Sequence, residues 1–467
     1  MRKAPGLALA VGVCIWASGA RGQNPGVPSL PSTSFDYVGY AVENLPSWYD
    51  TPQLRNANNT PADNPITNAG AELGRVLFYD PRLSHNDGTS CASCHVQANG
   101  FSDPNQLSIG FDGGLTGRHS MGLSNAVFYR PGSFFWDERA DTLEAQVLMP
   151  IQDQVEMGST LEQLTGENSG SPGELGQTEF YPELFARAFG DSQITSERMA
   201  QAMAQFVRSM VTYQSRFDQA LAADDLGDVL NTDELAGHAL FANRCAGCHR
   251  TDAQIANTTH NIGLDAVDTD AGAGDGEFKV PSLRNVAVRD GFMHDGRFQT
   301  LEEVIEFYST GVQDNANLSP GMQVGGFGFT EQQQQQLLAF LNTLTDEAFL
   351  SSELFSDPFV QLAGDYNGDG VVDADDFQVW LTTVGSTEGD TDGLLWADGN
   401  LDGVVDQADY AVWRNNLGAR WDDGLAPLGL AAVPEPGSLA LLAAGVGLAW
   451  PRRKRLPCTQ DADAPPG

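Results

Sequence analysis

The pattern C-x-x-C-H occurs twice in this chain, in the segments "GTSCASCHVQANGFSD" and "FANRCAGCHRTD". Two cysteines followed at once by a histidine suit covalent haem attachment, because thioether bonds hold the porphyrin and the histidine can reach the iron. A zinc site would need further Cys or His ligands nearby, and a dithiol redox site would need a βαβ context; neither accompanies the motifs. We therefore predict two covalent haem c groups held by Cys91, Cys94, Cys245 and Cys248, with His95 and His249 as iron ligands.

Charge and cysteine usage restrict the partners and the compartment. The chain has 62 Asp and Glu against 25 Lys and Arg, a formal net charge of -37. This acidity argues against nucleic acid as a partner and favours basic redox proteins and cations. The remaining cysteines, Cys14 and Cys458, lie near the chain ends, so no ordinary structural disulfide is expected.

The long middle part of the chain is predicted to be mainly helical. In "ITSERMAQAMAQFVRSMVTYQSRFDQAL" the apolar residues Met199, Met203, Phe206, Val207 and Met210 recur at helical spacing. The segment "TEQQQQQLLAFLNTL" begins with a capping box formed by Thr330 and Gln333. No stretch of comparable length alternates as a half-buried strand would, so the fold class is mainly α.

Three longer segments resemble one family. They are "ELGRVLFYDPRLSHNDGTSCASCH", "FFWDERADTLEAQVLMPIQDQVEMG" and "FKVPSLRNVAVRDGFMHDGRFQTLEEVIEFYSTG", and they resemble the signature blocks of the bacterial di-haem cytochrome c peroxidase and MauG family. The resemblance implies two cytochrome c-like domains, a peroxidatic one at 35–220 and an electron-transfer one at 221–350. It also implies a tryptophan between the two haems, which by position is Trp136; the alternative is that Trp136 is a core aromatic.

The same resemblance assigns a peroxide pocket to Gln146, Pro150 and Glu156. A carboxylate there would take a proton from peroxide and return it to the departing oxygen, so that water leaves. Gln146 would orient the peroxide, and Pro150 would keep the sixth iron position clear. Without the resemblance, Glu156 would be interpreted as a solvated surface acid.

Two positions depart from the family pattern. Where many of the peroxidases close the first haem with a loop histidine, this chain has Phe111, which cannot bind iron; the first haem should therefore be open unless the nearby His119 binds it. His119 itself stands where the family usually has an asparagine that serves a calcium ion between the haems. An inter-haem calcium would then depend on backbone carbonyls around Val280 and Ser282.

For the second haem, the resemblance points to Tyr308 as the further iron ligand. The segment "TLEEVIEFYSTG" predicts a helix, with a capping box at its start and Gly311 at its end. Tyr308 shares its apolar face with Leu301, Val304 and Ile305. It lies 14 residues after His294, where the peroxidases have methionine and MauG has tyrosine. The alternative is a core tyrosine, with Met293 and Met322 as substitute ligands.

The C-terminal part contains an acidic loop that is repeated after 33 residues, "DYNGDGVVDADDFQVW" and "DGNLDGVVDQADYAVW". Oxygen ligands at this spacing, with glycine at the sharp turn, are typical of calcium loops. The predicted calcium ligands are Asp365, Asn367, Asp369, Asp373, Asp376, Asp398, Asn400, Asp402, Asp406 and Asp409. Residues 363–420 resemble a type I dockerin, a small helical module that docks on a cohesin. A solvated acidic linker is the alternative.

Both chain ends predict export. Residues 1–22 have the basic start, apolar run and small residues of a secretory signal. Residues 433–455 resemble a PEP-CTERM sorting signal, recognised transiently at the membrane, although an ordinary membrane anchor is the alternative. We expect the protein in the periplasm, at the cell surface or in the extracellular matrix.

The predicted function is reduction of hydrogen peroxide to water with electrons from a small redox protein. One alternative is MauG-like, peroxide-dependent oxidation of a protein side chain. From other classes, the chain could be a non-enzymatic electron-transfer cytochrome or a scaffold component that binds a cohesin.

Overall fold

The computed structural model describes residues 28, 30–31, 33–223, 225–250, 253–254, 256–359, 363–367, 371–387, 397–399 and 404–419. The predicted signal peptide (1–22) and sorting signal (433–455) lie outside these residues. So do three of the predicted calcium ligands, Asp369, Asn400 and Asp402. Within the described ranges, no helix combines the length and the apolar character that a membrane span requires.

Helices make up most of the regular structure. They are α1 (Pro52–Ala57), α2 (Asn68–Tyr79), α3 (Cys91–Cys94), α4 (Leu143–Gln152), α5 (Leu161–Thr165), α6 (Tyr181–Phe189), α7 (Ser196–Ser209), α8 (Arg216–Ala222), α9 (Thr232–Arg244), α10 (Leu301–Glu306), α11 (Glu331–Asn342), α12 (Glu347–Leu350), α13 (Ala374–Thr383) and α14 (Gln407–Asn416). Two short antiparallel strands, β1 (Thr259–His260) and β2 (Phe278–Lys279), pair Thr259 with Lys279. The prediction of a mainly helical fold is confirmed.

In the first part of the chain, the core forms where α2 packs on α7. Each helix is preceded by a threonine, Thr67 or Thr195, whose hydroxyl accepts a backbone N–H of the first turn. Gly74 of α2 lies so close to the backbone carbonyl of Ala202 in α7 that a Cβ would overlap it. The buried residues of α7 include Met199, Met203 and Phe206, as their spacing predicted.

In the second part, α9 and α11 meet in a similar way. Gly237 of α9 lies against the backbone carbonyl of Gln336 in α11, again with no room for a Cβ. Next to this contact, the rings of Phe241 and Phe340 pack with their centroids 5.2 Å apart. In both parts, therefore, the helix that precedes a C-x-x-C-H motif is held by a glycine against a later helix.

After the second core is complete, the chain returns to the first one. Residues 346–359, here called the return segment, bring Phe355 into the same buried cluster as Tyr37. The hydroxyl of Tyr37 donates to the carbonyl of Leu354 at 3.0 Å, and that of Tyr79 donates to the carbonyl of Phe355 at 2.7 Å. No pattern in the sequence indicated this segment, and the predicted domain boundaries at 35–220 and 221–350 stay a prediction.

The two C-terminal repeats pair through their tryptophans. Asp373 caps α13 and Asp406 caps α14, each within a capping box. Trp380 Nε1 donates to the Asp406 carbonyl at 2.8 Å, and Trp413 Nε1 donates to the Asp373 carbonyl at 2.7 Å. Each repeat therefore supplies the hydrogen-bond acceptor for the tryptophan of the other.

Candidate haem sites

The first motif forms one helical turn, α3, that ends at its histidine. Ser90 caps the turn through a reciprocal arrangement with Ser93. The backbone N–H of His95 donates to the Cys91 carbonyl at 3.0 Å, and its Nδ1 lies 2.9 Å from the Phe101 carbonyl oxygen. A carbonyl can only accept, so Nδ1 carries the proton and Nε2 is the nitrogen available for iron.

The second motif repeats this local geometry. Cys245 is the C-cap of α9. The backbone N–H of His249 donates to the Cys245 carbonyl at 3.0 Å, and its Nδ1 lies 3.3 Å from the Gln254 carbonyl oxygen. Burial lowers the pKa of His95, and it lowers the pKa of His249 to about 4. Both rings are therefore neutral at physiological pH, which is the form that binds a metal.

Each motif lies at a cavity that suits a covalently held haem. Cys245, Cys248 and His249 line a largely apolar cavity of about 220 Å³. Cys91, Cys94 and His95 line a smaller cavity, and His95 also lines an adjoining one of about 530 Å³. Thioether sulfurs and a neutral imidazole carry no charge into such a space, so the residues present fit one haem at each motif.

Gln146, Pro150 and Glu156 line both cavities beside the first motif. Gln146 and Pro150 are four residues apart on α4, so their side chains lie on one face of the helix. Burial raises the pKa of the Glu156 carboxyl, the nearby Asp153 carboxylate raises it further, and Arg139 lowers it. The structure therefore places a partly desolvated carboxyl group, an amide and a proline in the same space as His95.

Trp136 forms a wall shared by the two haem sites. Its side chain is 9% exposed and lines both the 220 Å³ cavity and the 530 Å³ cavity. The indole Nε1 donates to the His119 carbonyl at 2.8 Å, and the Trp136 carbonyl accepts from the Lys279 backbone N–H at 2.8 Å. An aromatic ring is therefore fixed from two sides between the two motifs.

Tyr308 lies at the cavity of the second motif, together with Leu301, Val304 and Ile305 from the same face. The helix ends at Gly311 as predicted, but its α-helical part ends at Glu306, and Tyr308 belongs to a π-helical turn, Phe307–Gly311. Such turns are frequent at functional sites. Among the described residues, no hydrogen-bond partner is recorded for the Tyr308 hydroxyl. Burial raises its pKa, and the neighbouring Cys245 and Cys248 raise it further, so ionisation of the phenol requires a cation beside it.

Comparison with known proteins identifies the family. The sequence profile described as "Di-haem cytochrome c peroxidase" matches residues 68–226, and the profile described as "Cytochrome c" matches residues 235–345. A methylamine utilization protein MauG from Methylorubrum extorquens is 34% identical over 300 residues, 62% of this chain and 81% of that protein. The chain belongs to the di-haem cytochrome c peroxidase and MauG family. As a member, it carries two haem c groups and is an oxidoreductase that acts on peroxide.

Further members of the family support this assignment. A cytochrome c551 peroxidase from Nitrosomonas europaea is 33% identical over 294 residues, 59% of this chain and 80% of that protein. A crystal structure described as a MauG-like protein associated with microbial copper homeostasis is 32% identical and superposes with a TM-score of 0.57. That superposition covers 66% of this chain and 99% of the other, which confirms the two cytochrome c-like domains. A PEP-CTERM sorting motif also matches, at residues 432–454.

The two departures from the family pattern have different surroundings. The Phe111 ring lies 5.8 Å from the His85 ring, and it packs where a Cβ on Gly158 would otherwise lie. It is not among the residues lining the cavities beside the first motif. His119 is buried, 3% exposed. Its Nδ1 faces the carbonyls of Asn105 (3.2 Å) and Gln106 (3.1 Å), and its Nε2 lies 3.0 Å from Ser102 Oγ, so protein oxygens already contact both nitrogens.

Lys279 is a further residue of the site, and no sequence motif predicted it. It is 7% exposed and lines both large cavities of the di-haem core. Its Nζ donates to the Ser133 carbonyl at 3.0 Å and lies 3.6 Å from the centroid of the Tyr129 ring. Burial lowers its pKa to about 7. The available signal was a lysine inside the signature segment "FKVPSLRN", directly before Val280.

Three further side chains lie at the second haem cavity. Met293 and Met322, the substitute ligands, both line it, so the geometry alone does not separate them from Tyr308. His260 is half-buried on β1 and lines the same cavity. Sequence spacing could not reveal this, because β1 and β2 are two residues long.

The predicted calcium loops are described only in part. The structure describes Asp365, Asn367, Asp373, Asp376, Asp398, Asp406 and Asp409. Asp376 is fully buried, and its Oδ1 accepts the backbone N–H groups of Tyr366 (2.7 Å) and Asn367 (3.0 Å). Asp409 is also fully buried. In the described part of the chain, no group of three or more His, Cys, Asp or Glu residues is arranged to hold a metal ion.

Proposed function

We propose that this chain reduces hydrogen peroxide at the first motif, with electrons that arrive through the second motif and Trp136. The overall reaction consumes two electrons and two protons and converts one peroxide molecule into two water molecules. The observation that carries the proposal is the shared cavity beside His95, which is lined by Gln146, Pro150 and Glu156 and has Trp136 as its far wall.

When bound, the first haem supplies an iron that takes up peroxide and exchanges electrons. The surrounding side chains accept the proton from peroxide and return it to the departing oxygen. Glu156 is held in a cavity where burial raises its pKa, so it can both accept a proton from peroxide and release it to the departing oxygen. Gln146 orients the peroxide by hydrogen bonding, and Pro150, which has no N–H and a compact ring, limits what else can approach.

Tyr308 supports the role of the second motif in electron supply. A phenolate is a hard anionic ligand that favours the oxidised metal and lowers its reduction potential. Tyr308 is half-buried and lines the same cavity as His249, and within the described ranges its hydroxyl has no hydrogen-bond partner. This favours a ligand role over a packing tyrosine whose hydroxyl contacts a carbonyl.

The same tyrosine gives a second candidate function, oxidation of a protein side chain at a distance with peroxide as the oxidant. This reaction would remove two electrons from the partner protein through Trp136 and the second motif for each peroxide reduced. Two curated relatives named for methylamine utilization, from Methylorubrum extorquens and Methylophilus methylotrophus, are 34% and 32% identical to the chain.

The C-terminal repeats would attach the enzyme to another protein. The reciprocal tryptophan contacts and the capped helices support a compact paired module, in which the acidic loops would each bind a calcium ion. A cohesin-like protein is the proposed partner. Together with the PEP-CTERM motif, this module would place the exported enzyme at the cell surface or in the extracellular matrix.

Spin states and peroxide consumption test the proposal. The full haem-loaded protein should have one high-spin ferric haem whose spectrum changes within seconds of adding stoichiometric peroxide. Steady consumption of peroxide with a reduced small cytochrome supports the peroxidase. Modification of a protein partner without such consumption supports the second candidate, and a fully low-spin, unreactive protein contradicts both.

A further inference from the structure

The space between the two haem sites does not fit the calcium ion that the family resemblance implies. Such an ion would need oxygen ligands from the position of His119 and from carbonyls around Val280 and Ser282. His119 offers ring nitrogens instead, and calcium prefers oxygen. The Ser282 carbonyl, moreover, already accepts a hydrogen bond from Arg289 Nη1 at 3.1 Å.

Arg289 is a buried cation in this space. Its side chain is 8% exposed, and its Nη2 donates to the carbonyl of Arg284 at 2.6 Å. No carboxylate of the described residues forms an ion pair with it, and its Nε has no hydrogen-bond partner there. A guanidinium remains protonated even in such a site. One positive charge is therefore held here by backbone carbonyls, as a bound metal ion would be.

Two glycines provide the room for His119 and Arg289. A Cβ on Gly291 would overlap the His119 ring, and a Cβ on Gly122 would lie 2.7 Å from the Arg289 guanidinium. The backbone segments around His119 and His294 also contact each other here, since the His119 N–H donates to the His294 carbonyl at 2.9 Å. The same His119 residue accepts the indole N–H of Trp136 through its carbonyl.

We propose that the Arg289 guanidinium, with the His119 ring beside it, takes the place of a divalent cation between the haem sites and holds Trp136 without calcium. Arg289 and His119 act as positioning residues. The positive charge of Arg289 also borders the cavity of the second motif, where it favours the reduced haem.

Calcium removal is the first test, and it needs no change to the site. The full haem-loaded protein carries Asp365→Asn and Asp398→Asn, so that the C-terminal loops do not contribute. Treatment with a calcium chelator should leave the electron paramagnetic resonance signals and midpoint potentials of both haems unchanged. A change that calcium chloride reverses and magnesium chloride does not would overturn the proposal.

The second test changes Arg289 itself. Arg289→Gln should lower the midpoint potential of the second haem, and Arg289→Lys, which keeps the charge, should bring the potential back toward the unaltered value. Arg216→Gln, at an exposed arginine paired with Glu234, is the matched control and should have no effect. An unchanged potential in Arg289→Gln refutes the assignment. If that variant does not fold, the chelation result decides alone, and neither readout depends on peroxide turnover.

Discussion

The two C-x-x-C-H motifs share their own geometry and differ in what the rest of the chain places around them. In both, the histidine N–H donates to the first cysteine's carbonyl at 3.0 Å and Nδ1 faces a backbone carbonyl. The first motif shares its cavities with Gln146, Pro150 and Glu156, and the second shares its cavity with Tyr308. The two motifs therefore have the same local geometry, and the residues that distinguish their cavities lie far downstream in the sequence.

The largest expected effect comes from removing the acid that distinguishes the first site. Glu156→Gln keeps the size of the side chain but removes its proton exchange, so the rate of peroxide consumption should fall by about 10²–10⁴-fold. Both haems should still attach, because neither motif changes. Glu162→Gln, at an exposed acid on α5, is the control. Equal rates of peroxide consumption for Glu156→Gln and the control would show that Glu156 is not the acid that gives the first site its activity.

The pH dependence sharpens the same contrast. Because burial and Asp153 raise the pKa of Glu156, its ionised form is lost at a higher pH than for an ordinary glutamate. The peroxide rate should therefore fall, about tenfold per pH unit, as the pH drops below that raised pKa. Asp153→Asn removes the negative charge beside Glu156 but keeps a side-chain oxygen that can accept the backbone N–H groups of Val155 and Glu156. The pKa of Glu156 should then be lower, and the fall in the peroxide rate should occur at lower pH. A pH profile unaffected by Asp153→Asn contradicts this assignment.

The second site is tested by Tyr308→Phe, which keeps the ring and removes the hydroxyl. If the phenolate binds the iron, its loss should change the spectrum of the second haem and raise its midpoint potential, because an anionic ligand favours the oxidised state. The first haem should keep its spectrum. Tyr213→Phe, which removes a hydroxyl that donates to the Tyr40 carbonyl, is the control. An unaltered second-haem spectrum would mean that Tyr308 only packs, and Met293 or Met322 would then be tested.

The smallest expected effect concerns the two C-terminal repeats, which, unlike the two haem motifs, are expected to have the same function, calcium binding. Calcium at about 100 times its dissociation constant should stabilise the C-terminal repeats by about 2.7 kcal/mol for each loop that binds it. Trp380 and Trp413 each donate a hydrogen bond to the other repeat. Their fluorescence should therefore show the added stability as a calcium-dependent shift in the unfolding midpoint. Asp365→Asn should weaken the shift as much as Asp398→Asn does. A shift that survives both changes together would contradict calcium binding by these loops.

The sequence predicted best what depends on neighbours along the chain. Haem attachment follows from five adjacent residues, and the buried face of α7 follows from helical spacing. The helix that begins at Leu301 ends at Gly311 as predicted, but its change to a wider turn at Phe307 could not be predicted, because helical spacing in the sequence does not distinguish a π turn from an α turn. His260, Lys279 and Arg289 could not be placed from the sequence, since their burial results from contacts between segments far apart.

The return segment has a consequence for how the molecule is assembled. Its contacts with Tyr37 and Tyr79 join residues that are 317 and 276 positions apart. Contacts of such separation form late, because closing a long loop costs conformational entropy. During synthesis from the N-terminus, the first core therefore lacks its last contacts until the return segment, which follows the second core in the sequence, is available. The region that is synthesised first is therefore the one whose core is completed last.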